Sequence, residues 1–152
     1  MEFELKILDP RLRQWGLPAY QSDMAAGIDL HACIDSPVEI PPQAPATMIS
    51  SGVAILIGRP DVAAFILPRS GLGARHGIVL GNSVGTIDPD YQGAWIVPVI
   101  NRNAAGTPPV VNRPGDRIAQ AVFLPIVRPG FRIVDEFSRS TSRGAGGFGS
   151  TG

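Results

Sequence analysis

Three stretches of this chain carry side chains suited to chemistry on an anion. Pro68-Arg69-Ser70-Gly71-Leu72-Gly73 follows an apolar run and brings together an arginine, a hydroxyl and two glycines. Arginine forks onto phosphate oxygens, serine adds a donor, and glycine lets backbone amides come close. The same residues also make an ordinary polar turn with a surface arginine. Gly85-Thr86-Ile87-Asp88-Pro89-Asp90-Tyr91-Gln92-Gly93 reads as strand, acidic turn, strand. Asp-Pro is common turn chemistry, but Asp88 directly follows Ile87 at a rigid strand end, where a carboxylate can accept a proton from water. The third stretch runs from Arg143 to Gly152, where five of ten residues are glycine, with one aromatic, one arginine and two hydroxyls. Phe148 could stack on a base while Arg143, Ser150, Thr151 and backbone amides hold phosphate. A plain flexible terminus is the competing reading.

Further polar residues have two readings each. Asp29 alternates with Ile28 and Leu30, which suits a solvated strand face or a structural ion pair as well as a site. Arg117 and Gln120 are equally open. Cys33 is the sole cysteine, which excludes an intramolecular disulfide and any multi-cysteine zinc site. His31 and His76 stand alone, each more suited to a structural place than to a metal. Lys plus Arg and Asp plus Glu number 13 each, so the formal charge is zero. That excludes a broad electrostatic grip on nucleic acid or an acidic membrane, and any anion site must be local. No apolar run approaches bilayer length. The first ten residues alternate charged and apolar, unlike a signal peptide. A soluble, reducing, cytoplasmic setting is expected.

The elements that must position these residues are short strands. The 152 residues include 18 Gly and 15 Pro, which argues against long helices. Phe3, Leu5 and Ile7 alternate with Glu2, Glu4 and Lys6, the period of a half-buried strand. Residues 28–32 predict a second strand, with Asp29 and His31 on its polar face, and residues 38–40 a third. Apolar runs at 52–57 and 62–67 predict buried strands. Others are expected at 77–80, 84–87, 94–97, 109–111, 118–124 and 131–134, and one short helix at 71–75. Many short strands with Pro/Gly turns predict an all-β sandwich, jelly roll or barrel.

Five motifs, in order, resemble the trimeric dUTPases, the dUTP nucleotidohydrolases, and most of all their bacterial branch. These are Ala26-Gly27-Ile28-Asp29-Leu30, Pro68 to Gly73, Gly81-Asn82 through Gly93, Arg117-Ile118-Ala119-Gln120, and Arg143 to Gly152. The resemblance implies a distorted jelly-roll or β-clip barrel over residues 1–142 and a mobile tail, 143–152, closing over an active site. It implies a homotrimer whose sites take motifs one, two and four from one subunit, motif three from a second and the tail from a third. It implies hydrolysis of dUTP to dUMP and pyrophosphate, with Asp88 activating the water that attacks the α-phosphorus. Arg69, Ser70, Gly71, Gln120, Arg143, Gly149, Ser150 and Thr151 would hold phosphates. Asn82, Gly85, Thr86 and Ile87 would read uracil, Tyr91 would lie under the deoxyribose, and Phe148 would stack on the base. Mg²⁺ would be held mainly by the triphosphate, with Asp29 meeting its water shell. Such an enzyme keeps uracil out of DNA and supplies dUMP for thymidylate synthesis; no nucleic-acid or membrane partner is implied.

Two rivals are a dCTP deaminase relative and a catalytically silent nucleotide-binding module. The deaminases resemble this chain at Asp88-Pro89 but carry a catalytic Glu about ten residues further on, where an ungapped reading puts Pro98. No carboxylate lies between Asp90 and Asp116. Asp88 together with a full tail disfavours the silent module.

Overall fold

The computed structural model describes residues 1–147. Eleven strands account for nearly all regular structure in this part of the chain: β1 Glu4–Ile7, β2 Ile28–His31, β3 Val38–Ile40, β4 Thr47–Ser50, β5 Val53–Leu56, β6 Val62–Pro68, β7 Ile78–Leu80, β8 Gly85–Ile87, β9 Ile96–Asn101, β10 Val110–Asn112 and β11 Arg117–Pro125. A helical turn, α1, spans Leu12–Trp15, and a π-helical turn spans Leu72–His76. The fold is all-β and of jelly-roll type.

The strands make four antiparallel sheets rather than one closed barrel: β1-β5, β10-β3, β2-β11-β6-β8 and β4-β9-β7. The largest sheet carries Asp29 on β2 and Arg117 and Gln120 on β11. β6, Val-Ala-Ala-Phe-Ile-Leu-Pro, is apolar throughout because it pairs on both edges and is covered on its faces. β11 is the longest strand and pairs with β6 over seven registered positions. Leu30, Ile66, Trp95, Val97, Val99 and Ile118 meet in a single core, and Leu12 of α1 plugs one end of it with no exposed surface. Truncating Leu12 to alanine would open a cavity costing about 2–5 kcal/mol.

Several expectations change. All four residues of β2 are buried, so Asp29 and His31 do not face solvent. The alternation is real, but the polar face is roofed by arginines. The helix predicted at 71–75 is the π-helical turn one residue later. α1 and β4 are additional: Thr47-Met48-Ile49-Ser50 lacks a clean alternation and forms a strand because β9 offers it an edge. Residues 85–93 do not form a strand-turn-strand hairpin. β8 pairs with β6 and not with β9, and β9 starts only at Ile96. β7 and β8 lie in different sheets, linked through Gly81–Val84, where Ser83 takes a positive φ of 64°. Residues 131–134 form no strand: Phe131 is 91% and Ile133 99% exposed. Pro129-Gly130 breaks the run, and no edge among the described residues pairs with it.

Candidate active site

Asp29, Arg69, Arg117 and Gln120 converge at one end of the large sheet. On β11, Gln120 sits opposite Asp29 of β2 and opposite Leu67 of β6. Its Nε2 donates to the Pro68 carbonyl at 3.1 Å, which ties the side chain to the end of β6. Gly27 makes this possible: a Cβ there would lie 3.0 Å from Gln120 Oε1 and 3.2 Å from the Ala121 carbonyl. Arg69 leaves β6 directly and turns back over β2. Its Nε lies 3.0 Å from Asp29 Oδ1, and Nη1 donates to the Arg117 carbonyl at 3.3 Å. Arg117 Nη1 lies 3.0 Å from Asp29 Oδ2 and also donates to Gln21 Oε1 at 3.2 Å. One buried carboxylate is therefore bracketed by two guanidinium groups.

These residues line a cavity of about 470 Å³. Ser70 and Gly71 are exposed on its rim, followed by the π-helical turn that carries Arg75 and His76. A Cβ at Gly71 would meet nothing within 4 Å, so an incoming group has open access to the backbone there. The lining contains three arginines and one carboxylate. A chain of zero formal charge thus concentrates positive charge at one place, as a local anion site requires.

Neither half-buried Cys33, which lies beside Gly52 and away from the cavity, nor buried His31 adds a nucleophile. Burial, reinforced by Asp9, pushes the Cys33 thiol up to about 11, so it remains protonated near neutrality. Burial likewise holds the His31 imidazole below its ordinary range, despite nearby Asp29; Arg117 and Arg69 add to the lowering. Its Nδ1 has no hydrogen-bond partner.

Asp88 stands apart. Ile87 lies opposite Ala64, whereas Arg69 begins beyond the other end of β6. At about 3.3 Å per residue, Asp88 and Arg69 are roughly 20 Å apart along the sheet. Asp88 is exposed and lines a second cavity of about 690 Å³, with Gly58, Arg59, Gln92 and Arg128. Its turn is fixed by the Tyr91 amide donating to the Asp88 carbonyl at 3.1 Å, and by the Gly58 amide donating to the Pro89 carbonyl at 2.8 Å. The Tyr91 hydroxyl donates to the Ala94 carbonyl at 3.1 Å, and a Cβ at Gly93 would collide with the ring. Asn82, Gly85, Thr86 and Ile87 precede Asp88 along the same segment; Asn82 and Thr86 are exposed.

Arg143 lies in neither cavity. Its Nε donates to the Gly146 carbonyl at 2.8 Å within a local turn. Phe148, Gly149, Ser150 and Thr151 lie outside the described residues. The structure adds Arg117, Gln21, Arg75 and His76 to the cavity. Arg117 was visible beside Gln120 in its motif, whereas nothing in the sequence marks Gln21.

A divalent ion fits this arrangement in one way only. Among the described residues, no group of three or more His, Cys, Asp or Glu could hold a metal. Both Asp29 oxygens are engaged by arginine. This donor set suits Mg²⁺ that arrives on phosphate oxygens and keeps its own waters, not an ion caged by protein.

Comparison with known proteins points in the same direction. A dUTPase family model matches residues 13–152. The chain is 55% identical over 150 residues to the deoxyuridine 5'-triphosphate nucleotidohydrolase of Coxiella burnetii, covering 98% of this chain and 95% of that protein. It is 51% identical over 152 residues to the Klebsiella pneumoniae protein of the same name, covering 99% and 97%. Among solved structures, a mutant dUTPase of Staphylococcus bacteriophage 80alpha with dUpNHpp shares the fold. Its TM-score is 0.80 at 24% identity, over 99% of this chain and 98% of that one. A mutant dUTPase of phage phi11, described with a structural Mg(II) ion, gives 0.79 at 22% identity, over 91% and 100%.

Proposed function

Because the chain belongs to the dUTPase family, we propose that it hydrolyses dUTP to dUMP and pyrophosphate by attack of water on the α-phosphorus. The observation that carries this reading is the cation-rich cavity in which Arg69, Ser70, Gly71 and Gln120 meet around Asp29. Arg69 forks onto phosphate oxygens, Ser70 and the backbone at Gly71 add donors, and Gln120 supplies its amide from the strand. Charge stabilisation of the phosphates supplies most of the rate acceleration. Mg²⁺ on the triphosphate, when bound, neutralises part of that charge, with Asp29 facing its water shell. Asp88 holds the attacking water in line and takes its proton as the bond forms.

The separation of Asp88 from Arg69 supports a shared site. One chain holds the phosphate cavity at one end of β6 and the water-activating carboxylate near the other, so two chains must meet to complete a centre. A homotrimer satisfies this with three equivalent sites. The exposed turn from Asn82 to Tyr91 of one subunit reads uracil and deoxyribose over the cavity of the next. The Arg143–Gly152 segment of a third subunit closes the site, with Phe148 on the base and Arg143, Gly149, Ser150 and Thr151 on the phosphates. Residues 1–142 form the β domain and 143–152 the closing tail. The cytoplasm is the setting this reading assigns; among the described residues no helix is long and apolar enough to cross a membrane.

A single competition assay tests the activity. Equal dUTP, dCTP, dTTP and UTP are mixed with the protein and Mg²⁺, and the products are separated. Loss of dUTP alone, with dUMP and pyrophosphate appearing, is the expected result. Conversion of dCTP to a uracil nucleotide would move the protein to the deaminase relatives, and no turnover would leave a binding module.

A further inference from the structure

Arg117 and Gln120 both reach the face of β11 that meets Asp29, although side chains three apart on a regular strand point to opposite faces. The strand pairing explains how. Ala119, Gln120 and Ala121 sit opposite Leu30, Asp29 and Ile28 in regular register, but Arg117 sits opposite His31. One extra residue, Ile118, is accommodated between Arg117 and Ala119, a β-bulge. Ile118 and Ala119 are both buried in the core. The inserted residue returns Arg117 to the face of His31 and Asp29, where Nη1 meets Asp29 Oδ2 at 3.0 Å.

The two arginines on Asp29 are not equivalent. Arg69 opens the Ser70–Gly71 rim, and phosphate oxygens entering the cavity compete with Asp29 for its guanidinium. Arg117 is anchored on a strand, with Gln21 Oε1 as a second acceptor. When Arg69 turns to phosphate, Arg117 remains to hold the carboxylate. We infer that Arg117 is a positioning residue that keeps Asp29 in place so that Arg69 can be released to substrate phosphates, and that the bulge at Ile118 makes this hold possible. Without Arg117, Asp29 captures Arg69 for itself. The inference rests on reading the cavity as the phosphate site.

The test is a binding cycle, run without Mg²⁺ so that Asp29's place at the ion's water shell does not enter, with the non-hydrolysable analogue dUpNHpp and with dUMP as the probe lacking the outer phosphates. The proteins are the parent, Arg117→Gln, Arg117→Lys and the double variant Asp29→Asn/Arg117→Gln. Arg117→Gln should weaken dUpNHpp binding about tenfold or more and dUMP binding far less. Arg117→Lys, which keeps the charge but not the fork, should fall between. Adding Asp29→Asn should recover most of the loss, because Arg69 is freed. Parent-like affinity in Arg117→Gln would overturn the inference. So would a double variant no tighter than Arg117→Gln, since Arg117 would then be gripping phosphate itself or merely supporting the fold. If Arg117→Gln does not fold, the cycle is run on Arg117→Lys with the same criteria. A parent that neither binds dUpNHpp nor hydrolyses dUTP would overturn the phosphate reading as well, which separates the two failures.

Discussion

On the proposed mechanism two carboxylates, Asp29 and Asp88, divide the labour, and their surroundings differ accordingly. Asp29 is buried with an arginine on each oxygen, whereas Asp88 is exposed at the end of a short strand. Replacing Asp88 with Asn should therefore leave dUpNHpp binding near the parent value and lower kcat about a thousandfold. Near-normal turnover would assign the base elsewhere. His31 gives a pH signature. Its imidazole is held below the ordinary range mainly by burial, so the unfolded chain takes up a proton that the folded chain refuses. Stability should be unaffected by this group well above about pH 6.5 and should fall as pH drops below that value. Melting temperatures at pH 7.5 and 5.5 should differ more for the parent than for His31→Gln; equal differences would remove His31 from the account. In the sequence, the turn and glycine context of Asp88 and Arg69 fitted an ordinary turn as well as a site, and only the five ordered motifs gave them roles. Asp29 was open to a solvated face, an ion pair or a site, because alternation reports that two faces differ and not what covers each one; the ion pair is the one that formed.

At the level of elements, the sequence was most legible where one strand supplies its own pattern. β2, β3, β6 and β11 fell close to their expected places because their apolar runs are bounded by Pro, Gly or Asp. β4 was illegible because its edge is provided by β9, fifty residues away. The bulge in β11 was hidden too, since a bulge is a relation between two strands and leaves no mark in one. The π-helical turn behind Ser70 depends on Gly77, whose φ is +72° and whose added Cβ would collide with the Asn103 carboxamide. That carboxamide donates to the His76 carbonyl at 3.0 Å and closes the turn. Gly77→Ala should cost about 1–3 kcal/mol, read by urea denaturation. Gly71→Ala, at ordinary φ and in open space, should change stability far less. Equal costs would show that backbone strain does not hold this turn. Deleting residues 143–152 should leave the β domain folded and its catalysis crippled; an unfolded product would make the tail structural.

For the whole molecule, the split between Asp88 and the Arg69 cavity is the decisive feature. A chain with Asp88→Asn and a chain with Arg69→Gln should each be nearly inactive alone. Mixed by unfolding and refolding together, they should regain activity in about a quarter of sites, since random assembly pairs an intact cavity with an intact Asp88 at that frequency. No recovery would mean that each site is built within one chain. Outside the cavities, Val127, Phe131, Ile133 and Phe137 are each at least 89% exposed on a strand-free segment that contains Pro129 and Gly130. This bears on the fate of a chain that has not yet assembled. Large apolar side chains on extended, accessible backbone are what proteases and holdase chaperones bind. On the proposed trimer, a subunit that has not met its partners would thus display its own clearance signal.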